Sequence, residues 1–130
     1  MSFVEFETWR IKPGYQQQHD DMIRQWFNFV LLHQKELFPE WKSIRYYRQV
    51  ERDGHPTGTY VILFEFHSLA GHHAYKERRK DWSGPYADYK RVDPYQFFDL
   101  ESVTTEYWEP QEEALWAEFP PPPAGDGETH

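Results

Sequence analysis

Histidine is the side chain best suited to proton transfer near neutral pH, and three histidines lie close together in the middle of this chain. His67 ends an apolar run, and His72 and His73 follow it. In a helix, His73 and Glu77 would share a face because residues four apart are neighbours, whereas His72 and His73 could not. We therefore predict that His72 and His73 are catalytic residues, each acting as a general base or as a hydrogen-bond donor to a ligand.

Two other interpretations of these histidines stay open. A mononuclear metal site of two histidines and one carboxylate would need a further histidine from elsewhere in the chain, and we expect no metal. The candidates for that further ligand are His19, His33 and His67. Alternatively, His72 and His73 are surface residues near the start of a helix.

Three glutamates lie in strand-like segments whose flanking residues look buried: Glu5, Glu7 and Glu65. A carboxylate inside a protein costs several kcal/mol unless it is paired, and Arg10, Arg45 and Arg48 are available partners. We expect a cross-strand ion pair or an edge position, and the functional alternative is a carboxylate of raised pKa in a pocket. The segment 44–50 adds phenol and guanidinium groups that suit an aromatic or anionic ligand, so Arg45 and Glu65 are candidate ligand-binding residues.

The segment 58–68 indicates how these groups are positioned, because it is apolar on both sides of an extended strand. One side carries Val61 and Leu63, and the other carries Tyr60, Ile62, Phe64 and Phe66. An antiparallel strand with one solvated face would instead alternate apolar and polar residues. A chain of 130 residues supplies only about two substantial helices, so we expect another subunit or a bound ligand to cover the second face.

Hydrophobic periodicity and chain-breaking residues divide the chain into alternating strands and helices. Ser68 is placed to cap the second helix. The predicted strands are Ser2–Ile11, Ile44–Glu51, Thr59–Phe66 and Ser102–Trp108, and the predicted helical segments are Tyr15–Leu37, Leu69–Asp81 and a turn over Tyr86–Val92. In the first helix, His33 lies on the apolar stripe and is predicted to be a core residue, whereas His19 is expected to face solvent.

The composition excludes several functional classes. The chain has no cysteine, which rules out disulfides, thiolate nucleophiles, iron–sulfur clusters and cysteine-based zinc sites. Its formal net charge is −8, but from Glu106 onward there are acidic residues and no Lys or Arg. The remaining body is nearly neutral, so we expect no nucleic-acid partner.

Common signatures of membrane segments and of nucleotide or hydrolase sites are missing as well. The sequence has no run of 18 apolar residues, and it opens directly into a strand pattern, so we expect no membrane association and a cytoplasmic location. It contains no Gly-x-Gly-x-x-Gly, P-loop, Gly-x-Ser-x-Gly or His-Glu-x-x-His motif. Nucleotide-binding and serine-hydrolase functions are therefore not expected.

We predict one domain over residues 1–110, followed by a short C-terminal arm over 111–119 and an acidic, proline-rich tail over 120–130. The arm carries Leu115, Trp116 and Phe119, which could dock on the body or on a partner. The tail lacks the apolar groups needed to fold, and we expect it to be disordered or polyproline-like.

The order of elements is βαββαβ, which predicts an α+β, ferredoxin-like fold with a four-stranded antiparallel sheet and two helices on one face. Two segments, Trp9-Arg-Ile-Lys-Pro-Gly14 and Tyr60-Val-Ile-Leu-Phe-Glu-Phe-His-Ser-Leu-Ala70, resemble the dimeric α+β barrel superfamily. That superfamily includes antibiotic-biosynthesis-type monooxygenases and NIPSNAP-like proteins. The resemblance covers about residues 2–108 in layout, and it implies a homodimer in which two sheets form a shared barrel.

The monooxygenase-like members of that superfamily act on electron-rich aromatic substrates, without metal or flavin, at a site between sheet and helices. By location, this resemblance implicates Tyr46 as a third catalytic residue and Tyr60 and Trp82 as ligand-binding residues, and it implies no cofactor. The chain has no counterpart of the family's Asn-Trp-His set, since its only asparagine, Asn28, lies in a predicted helix.

Two functions are compatible with these features. The first is a homodimer that binds a small apolar or aromatic molecule and acts on it as a cofactor-independent monooxygenase-like enzyme. The second is a non-catalytic structural or interaction dimer, in which the high aromatic content of 19% serves only the core and the interface.

Overall fold

The computed structural model describes residues 2–124. It contains four strands and three helices: β1 (Phe3–Ile11), α1 (Gln16–Leu37), β2 (Trp41–Val50), β3 (Pro56–Phe66), α2 (Leu69–Arg79), α3 (Ala87–Lys90) and β4 (Phe98–Trp108). Short 3₁₀ turns at Pro94–Phe97 and Glu113–Leu115 flank β4. Ser68 caps α2 as predicted, because its hydroxyl accepts a hydrogen bond of 2.9 Å from the Gly71 backbone N–H.

The strands form one antiparallel sheet in the order β2-β3-β1-β4. Both long helices pack on the same face of it. The ring of Trp26 on α1 lies 5.9 Å from that of Phe64, and the ring of Tyr75 on α2 lies 6.2 Å from that of Phe66. Phe64 and Phe66 are alternate residues of β3 and point to the same side. The predicted α+β, ferredoxin-like fold is thus confirmed.

The second face of the sheet carries no helix among the described residues, and we refer to it as the open face. Strand register places there the apolar side chains Val4, Phe6, Tyr47, Val61, Leu63 and Trp108. Both sides of β3 therefore carry apolar side chains, as the alternation of residues in the segment 58–68 indicated.

Three strands, β2, β3 and β4, begin earlier than predicted, and in β2 and β4 large aromatic side chains anchor the first residues in the core. β2 starts at Trp41 and β4 at Phe98, whose ring stacks on Trp9 at 4.3 Å. The register of β4 against β1 shifts between Thr8 and Arg10. This bulge interrupts the simple alternation at the start of β4, which is why the sequence did not reveal that part of the strand.

The arm does not dock on the body of the chain. Leu115, Trp116 and Phe119 are 74%, 73% and 86% exposed. Docking of the arm on a partner stays a prediction, and the last residues of the predicted tail, 125–130, lie outside the described part of the chain. No helix within residues 2–124 has the length and hydropathy needed to cross a bilayer.

Candidate active site

A cavity of about 270 Å³ lies between the sheet and helix α2. Most of its wall is aromatic. All four strands contribute side chains to it, and β2 does so through Trp41. Its apolar and aromatic lining consists of Trp9, Ile23, Trp26, Trp41, Ile62, Phe64, Phe66, Tyr75, Trp82, Tyr89, Pro94, Tyr95 and Phe98. The remaining lining residues are ionisable: Glu5, Glu7, Lys76, Arg79 and Asp93.

The two glutamates occupy alternate positions of β1, so both side chains point from the sheet toward the helices. Glu5 is 3% exposed and Glu7 is 9% exposed. Glu5 Oε1 lies 2.9 Å from His72 Nε2 and 3.5 Å from Lys76 Nζ. The buried charge of Glu5 is therefore paired with groups from α2, and the expected arginine partners are not involved.

Glu7 has a different environment. Its Oε2 accepts a hydrogen bond from the hydroxyl of Tyr95, in the 3₁₀ turn before β4. Burial raises the pKa of Glu7 above its ordinary value, the bond from Tyr95 opposes this shift, and the nearby charge of Glu5 adds to it. A carboxylate with a raised pKa in an apolar cavity has the properties of a general base.

Helix α2 directs four functional side chains to the site: His72, Tyr75, Lys76 and Arg79. Their spacing of i, i+3, i+4 and i+7 places them on one helical face. Burial lowers the pKa of His72, against the opposing effect of its bond to Glu5. Its imidazole is therefore neutral near pH 7, with the proton on Nε2 donated to Glu5.

Arg79 stands out among the cationic groups. Its guanidinium carbon lies 5.5 Å from the centre of the Tyr75 ring, an arrangement typical of a cation–π contact. Burial also lowers the pKa of Lys76, with the charge of Glu5 opposing the shift. The cavity thus combines an aromatic wall, a candidate base and two cations.

The structure brings two of the sequence-predicted site residues to this cavity and separates the others from it. Trp82 lines the cavity, and its ring stacks on Tyr89 at 6.1 Å. His72 lies directly behind Glu5. His73 is exposed and lies outside the cavity, because consecutive helical residues point about 100° apart, and its catalytic role stays a prediction.

Tyr46 and Tyr60 lie on the helix side of the sheet but outside the cavity. They line a second, shallower hollow of about 630 Å³ between α1 and the edge of the sheet, and their rings stack at 5.8 Å. Its other lining residues are Asp20, Ile23, Arg24, Phe27, Asn28 and Arg48. Ile23 borders both hollows.

Arg45 and Glu65 point to the open face, opposite the cavity. Glu65 accepts a hydrogen bond of 3.1 Å from the Ser43 hydroxyl and lies 3.5 Å from Lys42 Nζ. Successive side chains of a strand point to opposite faces of the sheet, so neither Arg45 nor Glu65 lines this cavity. Their role in ligand binding stays a prediction.

Several site residues were not predicted: Lys76, Arg79, Tyr95 and Asp93. The first two had a usable signal in the sequence, because they continue the helical stripe that contains His72 and Tyr75. Tyr95 had none, since its contact with Glu7 joins positions 88 residues apart.

His19 was predicted to face solvent, and this prediction is wrong. The side chain is fully buried, and its Nε2 accepts a hydrogen bond of 3.0 Å from the indole Nε1–H of Trp9. His33 was predicted to be a core residue, but it is only partly buried. Its Nδ1 lies 2.6 Å from Glu36 Oε1. Within residues 2–124, no three side chains of the His, Asp or Glu types are arranged to hold a metal ion.

No family model matches the sequence, and no curated protein matches it. The solved structures that share the fold include the following three. A NIPSNAP family protein from Agrobacterium tumefaciens is 16% identical, with a TM-score of 0.58 over 87% of this chain and 96% of that one. SnoaB, a cofactor-independent oxygenase from Streptomyces nogalater, is 6% identical, with a TM-score of 0.55 over 88% and 98%.

The third similar structure is a dimeric ferredoxin-like protein of unknown function from Jannaschia sp. CCS1. It is 13% identical, with a TM-score of 0.56 over 84% of this chain and 99% of that one. Identities this low relate the chains by architecture. The chain has the ferredoxin-like α+β fold that is also found in NIPSNAP-type and oxygenase-type proteins.

Proposed function

We propose that this protein is a homodimeric enzyme that binds a small, largely aromatic molecule in the cavity and removes a proton from it, with Glu7 as the general base. The observation that carries the proposal is the pair of buried carboxylates, Glu5 and Glu7, facing an aromatic cavity from alternate positions of one strand. A buried carboxylate is costly, so its place in a cavity favours a role in chemistry.

The size of the cavity supports a ligand of about two rings. An apolar cavity of roughly 150 Å³ accommodates one benzene molecule. The cavity here has about 270 Å³. Four tryptophans in its lining, Trp9, Trp26, Trp41 and Trp82, favour stacking on a flat ligand.

The division of labour among the polar groups follows from their partners. Glu5 accepts a hydrogen bond from the neutral imidazole of His72 and lies 3.5 Å from the Lys76 ammonium. Among residues 2–124, the Tyr95 hydroxyl is the only hydrogen-bond partner of the Glu7 side chain, so this carboxylate can accept a proton from a ligand while Tyr95 holds it in position. The anion that forms on the ligand would be stabilised by Lys76 and Arg79.

The overall reaction that we favour is a monooxygenase-like oxidation without a protein cofactor. Removal of a proton from a ring CH2 group of an electron-rich aromatic substrate leaves an anion that molecular oxygen can oxidise: one oxygen atom becomes a carbonyl oxygen on that carbon, and the other leaves as water with the two hydrogens that the carbon loses. Support comes from the fold, which the cofactor-independent oxygenase SnoaB shares. We also propose a cytoplasmic location, since nothing in a chain without cysteine requires an oxidising compartment.

The homodimer is proposed because the open face is apolar and lacks a helical cover among residues 2–124. A sheet face that carries Val4, Phe6, Val61 and Leu63 is typical of a buried surface. The similar Jannaschia protein is dimeric. In the proposed dimer, Arg45 and Glu65 lie at or near the subunit interface, and the arm with Trp116 and Phe119 packs on the partner.

The test uses 2-tetralone, a two-ring ketone with acidic hydrogens next to its carbonyl. We expect the protein to accelerate exchange of these hydrogens for deuterium, followed by NMR. Glu7→Gln should lower the rate by about a hundredfold or more, because the variant has no base. The matched control is Glu65→Gln, which changes the same side chain on the open face and should keep the rate. Absence of exchange with the unaltered protein, or an equal loss in both variants, would contradict the proposal.

The alternative function is a non-catalytic structural or interaction dimer. The hydrogen bond between Glu5 and His72 favours this function, because buried polar groups in proteins are usually hydrogen-bonded for structural reasons alone. This function predicts that Glu7→Gln and His72→Gln alter stability without altering the binding of any two-ring molecule.

A further inference from the structure

Two hydrogen-bond donors in the cavity have no partner. The indole Nε1–H of Trp41 and the hydroxyl of Tyr75 make no hydrogen bond of normal geometry with any described residue. Their side chains are only 5% and 1% exposed, and both line the cavity. An unpaired buried donor costs free energy, so the site favours a ligand that supplies an acceptor atom.

A cation completes this end of the cavity. Arg79 lines the cavity. Among residues 2–124, no carboxylate oxygen lies close enough to its guanidinium to form an ion pair. The neighbouring Arg78 shows the opposite behaviour: it binds both carboxylate oxygens of Glu40, at 2.6 and 2.7 Å, and the Leu37 carbonyl at 3.2 Å. Arg78 thus links α2 to the end of α1 and to Glu40, whereas Arg79 has no ion-pair partner among residues 2–124 and lies against the side chain of Tyr75.

The side chains that carry these donors lie next to one another, around the ring of Tyr75. The ring of Trp41 lies 5.1 Å from the Tyr75 ring, and the Arg79 guanidinium lies 5.5 Å from the same ring. We propose that Arg79, Tyr75 and Trp41 form an anion-binding end of the cavity, and that the natural ligand is an aromatic carboxylate of about two rings. This inference rests on the proposed function, because it names the substrate class of the same cavity.

The charges around this end are compatible with an anion. Lys76 lies 3.5 Å from Glu5, whereas Arg79 has no carboxylate within ion-pair distance among residues 2–124 and acts on Glu7 and Asp93 only through the longer-range attraction that opposes their raised pKa values. Glu7 and Asp93 are the other acids of the cavity, and burial raises the pKa of each.

The experiment compares two probes of nearly equal shape, 2-naphthoate and 2-naphthamide, by isothermal titration calorimetry at pH 7 with the full chain. We expect the carboxylate to bind about tenfold or more tightly than the neutral amide, as charge-assisted hydrogen bonds do. Arg79→Gln should remove this preference and leave amide binding within about twofold. The control Lys80→Gln neutralises an exposed cation beside the same helix end and should change neither affinity.

A second variant, Tyr75→Phe, guards against loss of folding, because it removes a hydroxyl that has no partner and keeps the ring. It should weaken binding of 2-naphthoate severalfold while leaving the melting temperature unchanged or higher. Equal affinities for the two probes, or an unchanged preference in Arg79→Gln, would overturn the anion site and leave the cavity proposal standing. If neither probe binds the unaltered protein, both proposals fail.

Discussion

His19 is a fully buried histidine that is held between two partners. The Trp9 indole donates to its Nε2 at 3.0 Å, and its Nδ1 lies 3.1 Å from Asp20 Oδ1. The neutral tautomer with hydrogen on Nδ1 satisfies both contacts. Protonation of Nε2 would place two hydrogens against each other, so this geometry requires a neutral ring.

The stability of the protein should therefore fall in mild acid. Burial lowers the folded-state pKa of His19 below its ordinary value of 6.5, and the contact with Asp20 opposes the shift. The stabilisation from neutral His19 is thus complete above pH 6.5 and is lost as the pH falls through the folded-state pKa. We expect the free energy of unfolding, measured with urea, to fall between pH 7 and pH 5.

His19→Gln should reduce this pH dependence by up to about 1.4 kcal/mol per pH unit, because glutamine keeps an acceptor for Trp9 and does not titrate. His55, which is exposed in the turn between β2 and β3, provides the control His55→Gln, which should leave the slope unchanged. An identical slope in His19→Gln would show that another group governs acid stability. His72 should contribute a residual slope of the same sign.

At the residue scale, the sequence indicated which side chains could carry chemistry better than it indicated which side chains they contact. Glu5 and Glu7 were recognisable as carboxylates on a buried strand, but their contacts with His72 and Tyr95 arise from packing between distant segments. His19 was misjudged because it was grouped with Asp20 and Asp21. Its spacing of four from Ile23, on the apolar stripe of α1, was the signal that it lies in the core.

Helix α2 positions most of the polar groups of the site, and its first turn depends on one cap. The Ser68 hydroxyl accepts from the Gly71 N–H at 2.9 Å, and the helix then carries His72, Tyr75, Lys76 and Arg79 along one face. Any fraying of this turn moves His72 away from Glu5.

Ser68→Ala should lower the free energy of unfolding by about 1 kcal/mol, because the cap is lost and a backbone donor is left unpaired. The control is Ser68→Asp, which restores an acceptor and places a negative charge at the positive end of the helix. Thermal unfolding monitored by circular dichroism measures both variants. Equal stabilities for Ser68→Ala and Ser68→Asp would mean that the cap contributes nothing.

The strands and helices were predictable because residues that break a strand or cap a helix lie at their ends. Pro13 and Gly14 end β1, the turn over 51–55 separates β2 from β3, and Ser68 caps the start of α2. The start of β4 was not predictable, since the bulge opposite Thr8 and Arg10 depends on how β4 pairs with β1. The residues of α2 that face the cavity could have been predicted from the same helical periodicity that located the helix.

At the scale of the whole molecule, the proposed dimer depends on the open face. Leu63 lies in the middle of β3, which is an inner strand of the sheet. Leu63→Glu should raise the dimer dissociation constant by about a hundredfold or more, because a carboxylate would be buried without a partner. Sedimentation equilibrium over a range of protein concentrations measures this change.

The control for that experiment is Leu31→Glu, which introduces the same charge on a leucine that is 73% exposed on α1. This variant should keep the mass of two chains. A single-chain mass for the unaltered protein at all concentrations would refute the dimer, and equal behaviour of the two variants would place the interface elsewhere.

The topology of the molecule was predictable from the order of strands and helices alone, because few folds accept βαββαβ with two helices. The cavity was not. Its volume depends on how far the aromatic side chains of α1, α2 and the sheet stay apart, and a count of aromatic residues does not distinguish a filled core from a hollow one.

The site is assembled from the two ends of the chain and its middle: Glu5 and Glu7 near the start, α2 in the centre, and Tyr95 just before the last strand. Partly folded chains therefore have no site, and a ligand binds only the completed fold. By mass action, a ligand at one hundred times its dissociation constant would stabilise that fold by about 2.7 kcal/mol. The supply of ligand would thus set how many chains stay folded, and hence how many survive proteolysis in the cell.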